Sequence, residues 1–382
     1  MSYEIASIDD LPELIDFLNL VFSHDHRPHD FPTMIPKTYA NDAPLAKEAV
    51  HFIERADGRI KACVALLPTS LEVAGVRLLS GFIGQVGVHP YWRSKGSMKA
   101  LMQMAREYAG AHGFDMLALT GQRQRYEYFD YVPAGIQAQY YIDHRNVRHG
   151  LGDTDAAGIS FSEITDDGDP LIPALLDIYN SGSAAGSRTR ETFLASGKTY
   201  EYRLYAILDF GSTVGYIIVN KDQANEFVLI NPSDCGRVIK AWFETNKASR
   251  LTITQPMHAV LLRRELGVFA EGVEYSAELQ LLPINWIAVL DAYMKLNTET
   301  RGLADGRYVF KLKGEDKPIA LIVNGGKASA AFVDHKDAPN NTFSAIQATE
   351  RIFSPFRLMD NIDDAPVGWF PLSLGYMTSE HF

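Results

Sequence analysis

The sequence predicts an α+β protein built from mixed β-sheets flanked by helices. Three observations support this fold class. Residues 1–140 alternate predicted helices and strands, residues 158–276 repeat a similar order of elements, and the last third changes in character. With 382 residues, the chain is long enough for two or three domains.

The first predicted elements are a helix and two neighbouring strands. Leu11–Phe22 is rich in apolar residues and begins after Asp10, which can cap a helix. Ile60–Leu67 and Glu72–Leu79 have the composition of strands, and we expect Pro68–Ser70 to join them as a loop.

The most informative segment is Gln85–Met98, with the sequence QVGVHPYWRSKGSM. Alternating Val86 and Val88 predict a buried strand, and the apolar spacing after the turn predicts a helix over Met98–Ala109. A turn at a helix N-terminus presents backbone N–H groups, which together with the helix dipole favour a bound anion. Gly96 lets the backbone approach a phosphate closely. We interpret the turn as a pyrophosphate cradle, with an ordinary solvated basic turn as the alternative.

The pattern V-x-V-x-P-x-x-R-x-x-G in this segment resembles the acetyl-CoA signature of the GNAT (GCN5-related) N-acetyltransferases. In that family the R-x-x-G-x-G/A turn holds the pyrophosphate of coenzyme A through backbone amides. Met98 replaces the last Gly or Ala, and a bulky residue there is typical of the Eis (enhanced intracellular survival) branch. The resemblance implies that acetyl-CoA is bound by Val86, Gly87, Val88, Arg93, Ser94, Lys95, Gly96, Ser97, Met98, Gly121 and Gln122.

A second motif follows the predicted strand Met116–Thr120. Its pattern, Y-x-x-F-x-Y-x-P-A, is similar to the Eis motif after the fifth strand. By that resemblance Tyr126 is the general acid that protonates the departing thiolate of coenzyme A, which a phenol with a pKa of about 10 can do. Packing in a core is the alternative, and we prefer it for Tyr128, Phe129 and Tyr131.

The sequence ends with Phe382. Eis proteins end in Phe, and the resemblance implies that the terminal α-carboxylate acts as the general base. Such a carboxylate has an intrinsic pKa of about 3.5 and is a weak base without help from its surroundings, although it can relay a proton through water. Gln85 replaces the Glu base of many GNATs, so Phe382, or His89 through water, is the expected base. A frayed chain end is the alternative reading.

The expected reaction is direct transfer of an acetyl group to the primary amine of a small cationic acceptor, aminoglycoside-like or polyamine-like, or of lysine. Cys63 and Cys235 lie in no motif that suggests a covalent intermediate. A catalytically silent acyl-CoA-binding protein and a lipid carrier are the alternative functions.

Composition limits the other possibilities. The net charge of −11 disfavours nucleic acid and suits a cationic substrate, because an acidic cleft concentrates amines. No run of about 18 apolar residues predicts a membrane helix, and the acidic, polar N-terminus does not resemble a secretory signal. With only two cysteines, a reducing cytoplasm is expected, and neither a disulfide framework nor a metal is predicted.

The predicted organisation has three domains. Residues 1–145 form the acetyltransferase domain, His144–Asp155 a linker, residues 156–278 a degenerate GNAT-like domain, and residues 279–382 a domain that resembles a sterol carrier. The fold class is thus tandem GNAT folds followed by a sterol-carrier-like α/β domain. The Eis resemblance also implies a homo-oligomer, often a hexamer.

The middle and final domains have their own predicted elements, and these are helix Pro173–Tyr179, hairpin strands Arg203–Asp209 and Val214–Asn220, strand Phe227–Ile230, helix Asp234–Thr245, strand Arg250–Thr254, helix Trp286–Leu296, strands Arg307–Leu312, Pro318–Val323 and Ala328–Val333, and helical segments Thr342–Arg351 and Ser354–Met359. Asn231–Gly236 occupies the place of the cradle in the middle domain without an Arg-x-x-Gly turn, so no cofactor is expected there.

One further cluster, in the loop after the first helix, contains His24, His26 and His29. Imidazole is a common metal ligand, but no further ligand is evident in the sequence. A solvated loop is the preferred interpretation, and contact with the acceptor substrate is the second.

Overall fold

The computed structural model describes residues 2–25, 27–334, 336, 339, 341–357, 365–375 and 380. Three mixed sheets of eight, seven and four strands organise these residues, with helices packed against them. The predicted α+β class is therefore confirmed. Phe382 lies outside the described residues.

Residues 2–134 contain β1 (Ser2–Ile5), α1 (Leu11–Asp25), α2 (Phe31–Met34), α3 (Pro36–Tyr39), β2 (Val50–Ala56), β3 (Arg59–Val73), β4 (Val76–Val88), α4 (Ser97–Ala111), β5 (Met116–Leu119), α5 (Arg123–Tyr126) and β6 (Val132–Ala134). The helices predicted at α1 and α4 and the strand predicted at β5 are confirmed.

The loop predicted over Pro68–Ser70 is wrong. β3 and β4 form one long hairpin that turns at Ala74 and Gly75, and Pro68 pairs with Gly81 inside it. The described pairing of β2 with β3 reaches only to Leu66. Pro68 therefore lies where β3 has no β2 partner, and a missing N–H is tolerated at such a position.

Residues 137–276 contain β7 (Gln137–Asp143), α6 (His144–Gly150), β8 (Ile159–Ile164), α7 (Ile172–Asn180), β9 (Ala184–Gly186), α8 (Arg190–Gly197), β10 (Arg203–Asp209), β11 (Ser212–Asn220), β12 (Gln223–Leu229), α9 (Cys235–Asn246), β13 (Arg250–Pro256), α10 (Val260–Phe269) and β14 (Gly272–Ser276). The predicted helices, hairpin and strands of this region are confirmed. The linker predicted over His144–Asp155 is wrong in its first half, because the Asp143 carboxylate accepts hydrogen bonds from the N–H groups of Arg145 and Asn146 and caps α6.

The last elements are β15 (Leu279–Pro283), α11 (Trp286–Arg301), β16 (Gly306–Leu312), β17 (Ile319–Asn324), β18 (Lys327–Phe332), β19 (Asn341–Phe343) and α12 (Ala345–Phe353). The four-stranded sheet has the order β18-β17-β16-β19, and α11 packs against β17 and β18. Of the helix predicted over Ser354–Met359, the described part is a 3₁₀ turn, Pro355–Arg357.

Two strands pair outside the domain in which the sequence analysis placed them. The first sheet has the order β1-β2-β3-β4-β5-β15-β6, with β9 paired to β3, so β15 lies between β5 and β6. The second sheet has the order β14-β7-β13-β12-β11-β10-β8 and contains β7. The domain limits predicted at residues 145 and 279 remain predictions, and strand pairing crosses both of them.

The two larger sheets share a pattern of pairing. Each has one parallel pair, β4 with β5 and β12 with β13, next to an antiparallel meander, and a helix connects the two strands of each parallel pair. This repetition agrees with the predicted tandem arrangement.

The first sheet is covered on both faces. Successive residues of β3 face opposite layers: Val64 packs with α4, whereas Cys63 and Ala65 pack with α1 and α11. Among the described residues, no helix is long and apolar enough to cross a membrane.

Candidate active site

The candidate site begins where β4 and β5 separate. Their parallel pairing joins Ser80–Ile83 to Met116–Leu119 and ends there. Beyond that point β4 continues to Val88 paired with β3 on one side, and no described strand pairs with its other edge. A cleft therefore opens beside residues 84–88.

A β-bulge lies in this unpaired stretch. Gly84 pairs with Ala65 and Gly87 with Cys63, so two residues of β4, Gln85 and Val86, face one residue of β3. Gln85 has a φ of 45°, which is uncommon for a residue other than glycine. A bulge bends a strand and reorients its backbone groups, and this one comes directly before the segment predicted to contact the cofactor.

The cleft is part of a cavity of about 1030 Å³, at the upper end of the range for small-molecule pockets. Its lining consists of Val21, Phe22, Val86, Gly87, Val88, Arg93, Ser94, Gly96, Ser97, Met98, Lys99, Met102, Gln103, Arg106, Arg125, Tyr128, Phe129 and Tyr131. Eight of the predicted cofactor residues lie in this lining, whereas Lys95, Gly121 and Gln122 do not.

The turn before α4 has the backbone geometry expected of a phosphate cradle. Gly96 precedes the helix with a φ of 88°, and Ser94 has a φ of 64°. A Cβ at Gly96 would meet nothing within 4 Å, so the space above this glycine is open. The buried Ser97 hydroxyl has no hydrogen-bond partner among the described atoms. These groups fit an anion at the helix N-terminus.

Lys95 is held outside the cavity by Trp92. Its ammonium lies 3.5 Å from the centroid of the Trp92 ring, within the range of a cation–π interaction. The Trp92 indole N–H in turn donates to Oε1 of the buried Glu54 at 3.0 Å. The Lys95 side chain therefore packs on Trp92 of the same turn. The sequence motif did not distinguish this packing role from binding a phosphate.

The charged side chains in the lining are all cationic, namely Arg93, Lys99, Arg106 and Arg125. Arg106 is paired with Asp130 at 2.6 Å. Although the whole chain carries a net charge of −11, this cavity suits a polyanion such as coenzyme A. Only Arg93 of this set was expected from the sequence, because the other three lie outside the cradle motif.

Tyr126 lies at the end of α5 and is only 7% exposed; Arg125 and Tyr128 line the cavity, whereas Tyr126 is not part of its lining. Its ring packs on Gly121, where a Cβ would come within 2.5 Å of Cε2. Gln280 of β15 donates to the Gly121 carbonyl at 2.9 Å and holds this loop. Burial raises the pKa of Tyr126, and nearby Arg125 opposes that shift. The phenol therefore keeps its proton at neutral pH, as an acid must.

The neighbouring aromatic residues have different environments. Tyr131 is buried in the core that packs against α4, as preferred from the sequence. Tyr128 is 88% exposed and lines the cavity, so the expectation that it packs in the core is wrong. Tyr128 follows the short helix α5, whose sequence is Arg-Gln-Arg-Tyr. These four residues have no apolar pattern from which the exposure of Tyr128 could have been predicted.

The loop after α1 packs against aromatic residues. The His29 ring lies 5.7 Å from the Phe22 ring and 6.0 Å from the Phe31 ring, and its Nδ1 is 2.6 Å from the Arg27 carbonyl oxygen. His26 lies outside the described residues. Over the described part of the chain, no group of His, Cys, Asp and Glu side chains could hold a metal ion.

The remaining candidate nucleophiles and bases are constrained by burial. Cys63 and Cys235 are buried free thiols whose pKa is raised by desolvation, so neither is poised as a thiolate. His89 accepts a hydrogen bond from the Tyr91 N–H at 3.3 Å, and burial followed by the charge of Lys61 lowers its pKa.

Comparison with known proteins supports the acetyltransferase fold. Residues 2–134 match the family model of the acetyltransferase (GNAT) domain. No curated protein matches the chain in sequence. The domain match, together with the fold, identifies an acyl-CoA-dependent acetyltransferase, and GNAT domains bind acetyl-CoA.

Solved structures resemble almost the whole chain. A GCN5-related N-acetyltransferase from Anabaena variabilis has a TM-score of 0.64 at 14% identity, over 91% of this chain and 89% of that one. A conserved protein from Enterococcus faecalis, described as a probable N-acyltransferase, has a TM-score of 0.63 at 12% identity, over 87% and 86%. Eis1 from Mycobacterium abscessus has a TM-score of 0.61 at 13% identity, over 91% and 88%. At these identities the likeness establishes a shared fold.

Proposed function

We propose that this protein transfers the acetyl group of acetyl-CoA directly to a primary amine. The observation that carries the proposal is the bulged, unpaired edge of β4 at residues 84–88, which opens onto a cavity whose charged lining residues are all cationic. An unpaired strand edge can pair with the amide groups of an extended pantetheine arm, and the cations can neutralise the phosphates.

Each part of the cavity has a role in binding. The N–H groups of residues 93–98 and the Arg93 guanidinium bind the pyrophosphate. Backbone groups of Val86–Val88 bind the pantetheine arm, and an N–H there polarises the carbonyl oxygen. Gly121 and Gln122 are assigned to the cofactor by resemblance alone, because both lie outside the cavity lining and Gly121 is covered by the Tyr126 ring. Acetyl-CoA supplies an activated thioester, whose carbonyl carbon is the electrophile.

The protein's residues move two protons. The neutral amine of the acceptor attacks the carbonyl carbon, so a C–N bond forms as the C–S bond breaks. The Phe382 carboxylate, directly or through water, accepts the proton that the amine loses. Tyr126 donates its phenolic proton to the departing thiolate, and the raised pKa of this buried phenol keeps that proton available at neutral pH.

We propose a small cationic acceptor, aminoglycoside-like or polyamine-like, or a lysine side chain, because the net charge of −11 attracts cations to the molecule. We further propose that residues 156–278 form a GNAT-like domain without cofactor and that residues 279–382 form a sterol-carrier-like domain. A cytoplasmic homo-oligomer, hexameric by resemblance to Eis proteins, completes the proposal.

The test measures release of coenzyme A thiol from acetyl-CoA across a panel of amines. Tyr126→Phe is expected to lower kcat by roughly 100-fold or more, because it removes the donated proton, and to leave acetyl-CoA binding unchanged. An extension of a few residues beyond Phe382 is expected to lower kcat as well. Tyr141→Phe, on the half-exposed surface of the second sheet, is the control with full activity.

The outcomes separate the parts of the proposal. An active extended variant would exclude the Phe382 carboxylate as base and leave acetyl transfer intact. Tight binding of acetyl-CoA without turnover of any amine would favour the alternative of a silent acyl-CoA-binding protein. Copurified fatty acid or sterol, retained by residues 280–382 alone, would favour a lipid carrier.

A further inference from the structure

Three side chains connect the turn before α4 to strand β2. Glu54 of β2 accepts a hydrogen bond from the Trp92 indole N–H at 3.0 Å, and the centroid of the Trp92 ring lies 3.5 Å from the Lys95 ammonium. None of these three residues lines the cavity, although Ser94 and Gly96, on both sides of Lys95, do. The three side chains therefore contact the turn without taking part in the cavity lining.

Glu54 is an unusual residue for the interior of a sheet, because it is 0% exposed. Its Oε1 accepts the indole N–H, whereas its Oε2 has no hydrogen-bond partner among the described atoms. Burying a carboxyl group with so few partners is costly. Packing does not explain that cost, since an apolar side chain of similar volume would fill the same position. The cost points to a use for the hydrogen bond to Trp92.

The backbone around Trp92 is tied to the same part of the sheet. The Trp92 N–H donates to the His89 carbonyl at 2.7 Å, and the His89 N–H donates to the Lys61 carbonyl of β3 at 2.8 Å. Lys61 precedes Ala62, which pairs with Glu54 across β2 and β3. The indole is thus fixed at its backbone and at its ring N–H by one pair of neighbouring strands.

The turn that follows Trp92 contains two residues in the left-handed region. Ser94 has a φ of 64° and Gly96 a φ of 88°. A residue with a side chain seldom adopts this region unless its surroundings enforce it. Trp92 and Lys95 come before and after Ser94 in the sequence, so the contact between them closes the chain around that residue. This contact therefore supplies a reason for Ser94 to keep its backbone conformation.

The closed turn separates two groups of side chains. Trp92 and Lys95 pack on each other outside the cavity, whereas Arg93, Ser94 and Gly96 belong to its lining. A Cβ at Gly96 would meet nothing within 4 Å, so the space in front of the turn is open to a ligand. With the Lys95 side chain held on the indole, the anion-binding groups left at the turn are its backbone N–H groups and Arg93.

We propose that Glu54, Trp92 and Lys95 are positioning residues for coenzyme A. The carboxyl group of Glu54 anchors the indole, the indole holds the Lys95 ammonium, and the closed turn presents its backbone N–H groups to the pyrophosphate. The inference rests on the proposed function, in which residues 93–98 bind that pyrophosphate. It assigns the Lys95 side chain to shaping the turn, whereas a lysine in a basic turn would ordinarily be expected to contact the phosphate itself.

A double-mutant cycle on Trp92 and Lys95 tests this assignment, with the Kd for coenzyme A measured by calorimetry on the full chain. Trp92→Leu removes the ring, and Lys95→Met removes the ammonium while keeping the length of the side chain. Each change is expected to raise Kd by roughly fivefold to tenfold. The double variant should be no weaker than the weaker single variant, because both changes break the same contact.

A direct contact between Lys95 and a phosphate predicts a different result. The effects of Trp92→Leu and Lys95→Met on Kd would then multiply in the double variant, and Lys95→Met would also make the binding of coenzyme A less sensitive to salt. Either result would overturn the proposal.

Variants of Glu54 separate positioning from stability. Glu54→Gln keeps an oxygen that accepts from the indole N–H, and its Kd for coenzyme A should stay within about threefold of the wild type. Glu54→Leu has no acceptor and should raise the KM for acetyl-CoA by roughly tenfold, with kcat at saturation within about twofold. A protein that is only less stable loses active molecules, which lowers kcat and leaves KM unchanged. That pattern in Glu54→Leu would contradict the proposal.

Two matched controls complete the experiment. Lys61 also lies near the Trp92 ring, with its ammonium 5.6 Å from the centroid, but it belongs to β3 and not to the turn. Lys61→Met should therefore keep Kd within about twofold. Trp242→Phe changes a buried indole in the core of the middle region and should lower the melting temperature without changing Kd.

If either control raises Kd as much as Lys95→Met does, the effect is one of net charge or of stability, and the proposal is wrong. Failure of the proposed function is distinct, because the wild type would then bind no coenzyme A.

Discussion

His51 shows how a single buried side chain makes the stability of this fold depend on pH. It is 5% exposed, and its Nε2 lies 2.9 Å from the Tyr39 hydroxyl. Desolvation lowers the pKa of His51 to about 4, whereas an unfolded histidine has a pKa near 6.5. Between these values only the unfolded chain takes up the proton. Stability therefore falls as the pH drops from 6.5 to 4 and is unaffected by this group at higher pH.

We expect His51→Gln to reduce this dependence, because glutamine can bond to Tyr39 but does not titrate. The free energy of unfolding of the wild type should fall between pH 6.5 and pH 4 by roughly 3 kcal/mol more than that of the variant. Urea unfolding across this pH range measures the difference. His149 is exposed, and the control variant His149→Gln should show the same pH dependence of the free energy of unfolding as the wild type. The same pH dependence in the wild type and in His51→Gln would contradict the assignment of this effect to His51.

At the scale of single elements, we propose that the start of α4 carries the electrostatic part of coenzyme A binding. Arg93 lines the cavity next to Gly96, where the helix N-terminus is open. A charge-assisted contact to a phosphate contributes about 1.5–3 kcal/mol. We therefore expect Arg93→Ala to raise the Kd for coenzyme A by roughly tenfold or more, with a smaller effect on kcat.

Calorimetric titration with coenzyme A at two ionic strengths tests this expectation. Binding to the wild type should weaken with salt more steeply than binding to Arg93→Ala, because one phosphate contact is lost. Lys327→Ala, an exposed lysine of β18, should bind like the wild type. If both variants lose affinity equally, the effect is one of overall charge and the cradle is not involved.

Sequence patterns predicted those elements whose determinants are local. The strand–turn–helix around Gly96 and the hairpin in the middle region follow from alternation, helical spacing and turn residues. The loop predicted at Pro68–Ser70 failed because proline is tolerated where the neighbouring strand has ended, which depends on a remote part of the chain. Lys95 and Arg125 illustrate the same limit in the site: a motif specifies residue types, and which side chain faces the cavity is decided by packing partners such as Trp92.

At the scale of the whole molecule, the first sheet depends on β15, a strand that follows the whole second sheet in the sequence. β15 pairs with β5 on one side and with β6 on the other, and its Gln280 holds the Gly121 carbonyl beneath Tyr126. Removing β15 would expose an unpaired edge of β5 next to the candidate general acid. No local pattern in residues 1–145 indicates that this strand is missing from them.

We therefore expect a fragment of residues 1–145 to lack a stable fold, although it includes the whole matched acetyltransferase domain. It should unfold without cooperativity, elute as heterogeneous aggregates in size-exclusion chromatography and bind no acetyl-CoA. The full chain should unfold cooperatively, elute as one discrete species and bind acetyl-CoA. A monomeric fragment with a sharp thermal transition would show that β15 is dispensable.

The position of β15 also sets an order of events during synthesis. A ribosome releases β5 and β6 long before it releases β15, since the whole of the middle region is translated between them. Until then β6 has no described strand partner, and the edge of β5 that faces away from β4 is open to other nascent chains. The first sheet is therefore completed late, when β15 is inserted between β5 and β6. Slower translation after residue 145 would lengthen the period in which the incomplete sheet is exposed to chaperones and proteases.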